Sequence, residues 1–209
     1  AYVFKNDGGT WTDITRSSGG DYSATADEGW SHTVLGGVPI LTNFKDTPQF
    51  WALTSGKYNT ATNLAALTNW RGPGGAAAAT SYAKSIKSFK SFLIALNLND
   101  TASSTEYTQM VKWSGAASAH SVPATWNETT TTADAGEQEL SDTPGDIIDG
   151  LQLGETFVVY KEDATYLIQF IGTPFIFSFK MLSPTVGILA KNCVSEFEGG
   201  HFFIGKSDV

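Results

Sequence analysis

The chain has 209 residues, 41% of them hydrophobic, and a formal net charge of −8. At this length a folded chain buries roughly 70% of its unfolded surface, so one or two ordinary domains are expected. The negative charge argues against a general nucleic-acid-binding protein, which needs a basic face, but it is compatible with a protein past which DNA slides. The single cysteine excludes an intramolecular disulfide, and no apolar run reaches the length of about 18 residues that a transmembrane helix needs.

Short apolar runs separated by Gly, Thr, Ser, Asn and Asp follow one another along the chain, and the alternation of strands and helices of an α/β protein is missing. This texture is typical of an all-β protein with many turns. Residues 61–70, with Leu64 and Leu67 three apart, indicate a short helix or one turn of 3-10 helix. Polar insertions are predicted near 71–81 and 127–146. The predicted strands are 1–5, 33–36, 38–43, 49–53, 92–98, 108–113, 156–161, 164–171, 174–181, 186–190, 193–197 and 201–205.

An apolar run that ends in a short polar turn with an Asp occurs four times, and the Asp residues are Asp46, Asp100, Asp163 and Asp208. Repeats of roughly 40–50 residues with four strands each are typical of β-propeller blades. We therefore predict that residues 1–209 form a single β-propeller-like region of about four antiparallel, blade-like units. Both ends read as strands in progress, so the region is expected to be a fragment of a longer chain.

Tryptophan is frequent and in two places follows proline by three residues, in "TPQFW" (47–51) and "VPATW" (122–126). This echo favours a packing role for Trp51 and Trp126 between blades. Exposed tryptophans would instead supply a platform on which sugars stack. The tryptophans stand at positions 11, 30, 51, 70, 113 and 126.

Few residues suggest enzymatic chemistry. His32, His120 and His201 are isolated from one another and show no metal-ligand spacing. The segment "GPGGAAAAT" lacks the Lys-Ser/Thr of a phosphate-binding loop, and the apolar neighbours of Cys193 indicate a buried small residue. We therefore predict no catalytic residue, no cofactor and no metal.

The densest carboxylate group is "SDTPGDIIDG", with Asp142, Asp146 and Asp149. Such oxygens could hold Ca²⁺ or, as a pair, hydrolyse a glycosidic bond. Aspartate also starts turns by accepting hydrogen bonds from its own backbone, which suits the Pro and Gly residues of this segment. Turn formation is the interpretation that the spacing favours.

The densest basic group is "YAKSIKSFKSF", with Lys84, Lys87 and Lys90 three residues apart. These lysines could face a nucleic-acid backbone or an acidic partner surface. The alternative is a solvated sheet edge whose charges discourage aggregation.

The segment "TFVVYKEDATYLIQFIG" (156–172) combines two strand-forming runs with a polar break at 161–163. It predicts a hairpin in which Lys161, Glu162 and Asp163 cap a turn at the sheet edge and the apolar residues pack between blades.

Three long segments resemble the tail nozzle proteins of short-tailed bacteriophages, also described as tail tubular B-like or DNA-stabilising tail-hub proteins. The segments are "VKWSGAASAHSVPATW" (111–126), 133–172 and 187–209. The most specific patterns within them are VxWS…PxxW and YKEDxxYxxQFxG. "GGVPILTNFKDTPQFW" and "SIKSFKSFLIALNL" are similar to the preceding part of the same region, so the resemblance covers nearly the whole chain.

The resemblance implies a non-enzymatic virion protein, rich in β-propeller structure, that forms a hexameric ring around the channel through which DNA leaves. Its partners would be further copies of itself, other tail proteins (adaptor, tail tip or fibres) and the passing viral DNA, with no cofactor and no membrane insertion of this region. The matching positions are architectural: Trp51, Trp113, Trp126, Tyr160 and Asp163. The alternative is a carbohydrate-binding or glycan-hydrolysing all-β protein that uses exposed tryptophans and the Asp142–Asp149 loop.

Overall fold

The protein is almost entirely β-structure, with 46% strand and 3% helix, so the all-β prediction is confirmed. The structure is a computed structural model that describes residues 1–24, 29–54, 57–58, 62–130 and 132–206. No helix in the described residues is long and apolar enough to cross a membrane. The strands are β1 (Phe4–Asp7), β2 (Thr10–Asp13), β3 (Ser31–Leu35), β4 (Val38–Thr42), β5 (Gln49–Phe50), β6 (Leu53–Thr54), β7 (Lys57–Tyr58), β8 (Ala65–Ala66), β9 (Ser81–Phe89), β10 (Phe92–Asp100), β11 (Thr105–Trp113), β12 (Gly136–Glu139), β13 (Ile147–Leu153), β14 (Thr156–Lys161), β15 (Thr165–Phe170), β16 (Phe177–Ser183), β17 (Val194–Phe197) and β18 (Gly200–Phe203).

Three four-stranded antiparallel sheets form the body of the molecule. Sheet 1 has the order β3-β4-β5-β8, sheet 2 the order β9-β10-β11-β12 and sheet 3 the order β13-β14-β15-β16. Each sheet is a meander in chain order, interrupted in sheet 1 by the small β6-β7 hairpin. The β1-β2 hairpin precedes sheet 1 and the β17-β18 hairpin follows sheet 3; we call them the N-terminal and C-terminal hairpins.

Strand β10 lies between two cores, and every residue of it except Asn99 is buried. Its side chains alternate between the faces of sheet 2, as the period of a strand requires. Phe92, Ile94 and Leu96 pack towards sheet 3, whereas Leu93 and Ala95 pack towards sheet 1. A run with no polar alternation is expected where both faces of a strand are covered.

A bulge at Asn97 changes this alternation. The register of β10 shifts between Leu96 and Leu98, and Asn97 has a φ of +53°, a value that asparagine tolerates better than most residues. Because of the extra residue, Leu98 packs towards sheet 1. The Asn97 side-chain amide donates to the Ile147 carbonyl, at 2.9 Å, so the bulge also ties sheet 2 to sheet 3.

The apolar clusters lie between consecutive sheets, so the molecule is a stack in chain order. The cluster between sheets 2 and 3 is rich in aromatic residues, including Phe89, Phe157 and Phe177. The cluster between sheets 1 and 2 contains Trp70 and Trp126, whose rings meet edge to face at 4.7 Å. Smaller clusters join the N-terminal segment to sheet 1 and the C-terminal hairpin to sheet 3.

The repeated Asp residues occupy one architectural position. Asp46 lies between β4 and β5, Asp100 ends β10 before β11, and Asp163 lies between β14 and β15. Each therefore marks the connection from the second to the third strand of its sheet. The fourth, Asp208, lies outside the described residues. The apolar run followed by Asp thus marks the same position in each of the three sheets. That these sheets are blades of a β-propeller stays a prediction.

Several local predictions were wrong. Residues 62–70 form no helix and contain β8. No strand forms over 186–190, where Gly187 lies against the backbone of Lys161 and Glu162. The insertion near 71–81 consists mainly of two 3-10 turns, Pro73–Gly75 and Ala78–Thr80. The insertion near 127–146 contains an edge strand, β12, whose polar sequence gave no alternation to recognise.

Candidate functional surface along the first strands

The first strands of consecutive sheets are neighbours in space. Strand β3 contacts β9, β9 contacts β13, and β13 contacts β17. The sheets are therefore joined along one side of the stack by the strand that opens each of them. Polar side chains of β3, β9 and β13 bond to one another along this side, so we treat it as the candidate functional surface and call it the first-strand side.

A chain of buried hydrogen bonds runs across the first-strand side. The Ser31 hydroxyl on β3 lies 3.2 Å from the Ser85 hydroxyl on β9. Ser85 donates to Asp149 Oδ1 on β13, at 2.7 Å, and the Asn192 backbone N–H donates to Asp149 Oδ2, at 3.0 Å. Asp149 is only 1% exposed. This carboxylate thus connects sheets 2 and 3 to the segment before β17 and, through Ser85, to sheet 1.

Lysines surround Asp149 at this position. Lys87 Nζ lies 3.3 Å from Asp149 Oδ1. Burial lowers the pKa of Lys191, and the charges of Lys84 and Lys87 lower it further, while Asp149 opposes the shift. The structure therefore brings together Lys84, Lys87 and Lys191, which we call the lysine cluster. Sequence reasoning missed Lys191 because it is about a hundred residues away from the other two.

Lys90, the third lysine of the predicted group, behaves differently. It lies in the β9-β10 turn with a φ of +53°, and its ammonium group pairs with Glu155 Oε2 at 2.5 Å. Glu155 is almost fully exposed. The lysines three apart in sequence thus divide into two that lie on β9 and one that forms a surface ion pair at its end.

Two further lysines are completely buried, which the sequence did not indicate. Lys112 on β11 is 0% exposed and pairs with Glu128 and Glu137, each at 2.7 Å. Burial opposes ionisation of Glu128, but the hydrogen bond and the charge of Lys112 outweigh it and lower the pKa of this carboxyl. Glu137 also accepts from the Gly74 N–H, at 3.1 Å. Lys112 therefore fixes the polar insertion and the nearby 3-10 turn to sheet 2.

Lys161 holds the other end of the same insertion. Its ammonium group donates to Gln109 Oε1 at 2.9 Å, to the Leu140 carbonyl at 2.7 Å and to the Thr143 carbonyl. Burial lowers its pKa, against the attraction of Asp146 and other nearby carboxylates. The hairpin predicted over 156–172 is present as β14 and β15. Lys161, however, is buried and donates to sheet 2 and to the insertion, so the prediction that it caps the turn at the sheet edge was wrong.

The remaining motif residues all take part in packing or turns. Trp51 is half-buried and donates to the Thr62 carbonyl, at 3.1 Å. Trp113 donates to the Asp134 carbonyl, at 2.9 Å. Trp126 is fully buried. Trp51 and Trp126 both lie between the third and fourth strands of their sheets, but in different clusters.

Tyr160 and Asp163 lie at the end of β14. Tyr160 is 3% exposed, its hydroxyl lies 2.9 Å from His201 Nδ1, and burial raises its pKa to about 12. Asp163 is exposed and lies 3.5 Å from Lys206 Nζ. The pair Tyr160 and His201 therefore docks the C-terminal hairpin on sheet 3, whereas Asp163 belongs to the turn.

The features proposed for a glycan site are separated from one another. Asp142 is exposed, Asp146 is half-buried near Lys161, and Asp149 is buried among Ser85, Lys87 and Asn192. Trp11 is the exposed tryptophan of the chain, at 68%. In the described residues no group of three or more His, Cys, Asp or Glu side chains could hold a metal ion.

A surface groove of about 420 Å³ lies between the β14-β15 turn and the C-terminal hairpin. It is lined by Glu162, Asp163 and Lys206 together with apolar residues such as Val186 and Phe203. Its charges pair with one another, since Lys206 lies within 4 Å of both carboxylates.

A comparison with models of known protein families and with curated proteins finds no match to this chain.

Proposed function

We propose that this chain is a non-enzymatic structural protein of a phage virion, a component of the tail nozzle that forms part of the wall of the DNA-ejection channel. The observation that carries the proposal is the stack of consecutive four-stranded meanders joined by their first strands. In a β-propeller the sheets stack face to face around an axis and the first strand of each lies nearest to it. The first-strand side then lies next to the axis of the propeller-like stack.

The chemistry of the side chains supports a structural role. Among the described residues, Asp149, Lys112 and Lys161 are the most deeply buried charged groups, and each forms hydrogen bonds that join its strand to another sheet or to the polar insertion. Groups that bind or activate a substrate must instead reach a cleft that substrate can enter. The segments that resemble nozzle proteins, VKWS and YKED, each contain one of the two buried lysines.

The charge balance also suits a channel. A net charge of −8 repels phosphate, and the lysine cluster on the first-strand side opposes this repulsion locally. Since each phosphate contact adds a salt-dependent increment to affinity, few contacts leave DNA free to slide. The proposal therefore predicts weak binding of DNA with a shallow dependence on salt concentration, because few phosphates are neutralised.

The proposal is tested on phage particles from the organism that encodes the chain. An antibody raised against the purified protein is expected to label one end of the short tail in electron micrographs, and mass spectrometry of the particles is expected to detect the chain. Labelling in the presence of excess free protein is the control. Particles that lack the chain would contradict the proposal, as would hydrolysis of a glycan by the purified protein that Asp149→Asn abolishes.

A further inference from the structure

One ammonium group of the lysine cluster has no partner among the described residues. Lys84 lies on β9 and is half-buried. Within the part of the chain that the structure describes, its ammonium group forms neither a salt bridge nor a hydrogen bond. Lysines that are removed from water are normally paired with a carboxylate, because burying an unpaired charge is costly. The surroundings of Lys84 therefore lack the anion that its position calls for.

Asp149, the carboxylate at the centre of the cluster, does not supply that partner. Its Oδ1 accepts a hydrogen bond from Ser85, at 2.7 Å, and lies 3.3 Å from Lys87 Nζ. Its Oδ2 accepts from the Asn192 backbone N–H, at 3.0 Å. Because the carboxylate is also only 1% exposed, these donors enclose it and leave Lys84 outside.

The third lysine of the cluster comes from another part of the chain. Lys191 precedes β17, and a Cβ atom placed on Gly29, just before β3, would lie 3.6 Å from Lys191 Nζ. Gly29 has a φ of +60°, a conformation that favours glycine, so no side chain of this residue fills the space beside the ammonium group. The lysine cluster thus extends from β9 to the segment that leads into sheet 1.

The like charges at this position oppose one another. Burial lowers the pKa of Lys191, and the charges of Lys84 and Lys87 lower it further, against the attraction of Asp149. The folded chain therefore holds ammonium groups close enough to repel each other. A bound anion would relieve this repulsion, because an opposite charge favours the charged form of each neighbouring lysine. Ionisable groups held in such an environment are typical of functional sites.

We propose that the lysine cluster is a binding site for one small oxyanion of the phosphate class. A lysine ammonium group is a compact charge with three N–H donors, which suits an anion with several acceptor oxygens. Partial burial favours a small ligand over the backbone of duplex DNA, since the Lys87 side chain is 15% exposed and the other two lysines are half-buried. The inference goes beyond the proposed function, which needs no bound anion.

The experiment measures the melting temperature of the purified chain by calorimetry, in inorganic phosphate and in chloride of matched ionic strength. For a Kd of about 1 mM, phosphate at about 20 mM raises the ratio of folded to unfolded protein about 20-fold. In a chain of this size that ratio corresponds to a melting temperature about 4–7 °C higher. Lys84→Gln removes one of the three ammonium groups and is expected to weaken binding about tenfold, which leaves a rise of about 1–3 °C.

Lys90→Gln is the matched control, because Lys90 follows the same strand but pairs with the exposed Glu155; it is expected to keep the full rise. Circular dichroism checks that each variant folds. Equilibrium dialysis of the wild type needs no variant and is expected to give one bound phosphate per chain. A wild type that binds no phosphate in dialysis would overturn the inference. An equal rise in the wild type and in Lys84→Gln would also overturn it, since phosphate stabilises folded proteins in general.

A single-stranded oligonucleotide, at the same concentration of phosphate groups, distinguishes the source of the anion. It is expected to produce no rise that depends on Lys84. If the oligonucleotide produces such a rise and inorganic phosphate does not, the site accepts a nucleic-acid backbone and the assignment to a small anion is wrong. Because these measurements use the purified chain, their failure leaves the proposed function standing, and particles that lack the chain would leave the anion site standing.

Discussion

Replacing Lys112 with methionine removes the buried cation that two half-buried carboxylates share. Lys112 is 0% exposed, and the side chains of Glu128 and Glu137 are 13% and 22% exposed. Loss of one partner of a buried ion pair costs about 3–5 kcal/mol, because the remaining charge is left uncompensated. Both carboxylates keep some contact with water, so we expect the lower end, about 3 kcal/mol of unfolding free energy.

Urea unfolding, followed by tryptophan fluorescence, measures this cost. With an m value of about 2–3 kcal/mol/M, the midpoint should fall by about 1–1.5 M. Glu128→Gln combined with Lys112→Met should recover part of the loss, since one stranded charge is then gone. Lys90→Met, which breaks an exposed pair with Glu155, is the control and should leave the midpoint unchanged. A fall below about 0.3 M for Lys112→Met, equivalent to less than about 1 kcal/mol, would refute this account of the buried pair.

The pH dependence of this difference has a definite sign. Since the folded protein lowers the pKa of Glu128, the stability that the pair contributes is present at neutral pH. It is lost as the pH falls below the ordinary glutamate value of about 4.3. The stability difference between wild type and Lys112→Met should therefore narrow in acid, and a constant difference from neutral pH to about pH 3 would contradict the assignment to Glu128.

Three further outcomes follow from the same contacts. Burial raises the pKa of Tyr160 to about 12 in the folded protein, against about 10 in the unfolded chain, so the unfolding free energy should fall as the pH rises above about 10. Ultraviolet difference spectra provide the check, since Tyr160→Phe should lack the ionisation of this tyrosine near pH 12. Asp149→Ala should lower the unfolding free energy by about 3 kcal/mol, whereas calorimetry should show no change for the exposed Asp142→Asn. Gly187→Ala should cost roughly 3 kcal/mol or more, because its Cβ would lie within 2.4 Å of the Lys161 and Glu162 backbone; proteolysis that spares the C-terminal hairpin would contradict this clash.

The second strand of each sheet could be predicted from the sequence because both of its faces are covered. In β10 this covering produces an almost continuous apolar run, and the Asp that follows starts a turn. The same pattern, an apolar run followed by a turn with an Asp, predicts β4 and β14. These three strands, with Asp46, Asp100 and Asp163, were enough to indicate a repeating antiparallel architecture.

The first strands of sheets 2 and 3, β9 and β13, were not predicted because they exchange polar contacts with each other. Lysines at every third position of β9 do not follow the alternation of a strand, and Asp149 in β13 resembles a turn residue until Ser85, from another sheet, is seen beside it. The burial of Lys112 and Lys161 depends on acceptors that are between 16 and 52 residues away in the chain. Local patterning carries no signal for such partners, so the candidate surface could be assembled only in three dimensions.

The bulge at Asn97 has a consequence for how this protein can evolve. Before Asn97, the even-numbered residues of β10 face sheet 3. After the bulge, Leu98 faces sheet 1 instead, so the bulge reverses the order in which successive side chains face the two cores. A substitution at Asn97 changes one contact, but a deletion there exchanges the faces for everything that follows up to Asp100. We therefore expect related sequences to vary in length at the turns after the second strands and to keep the spacing from Phe92 to Asp100 without gaps.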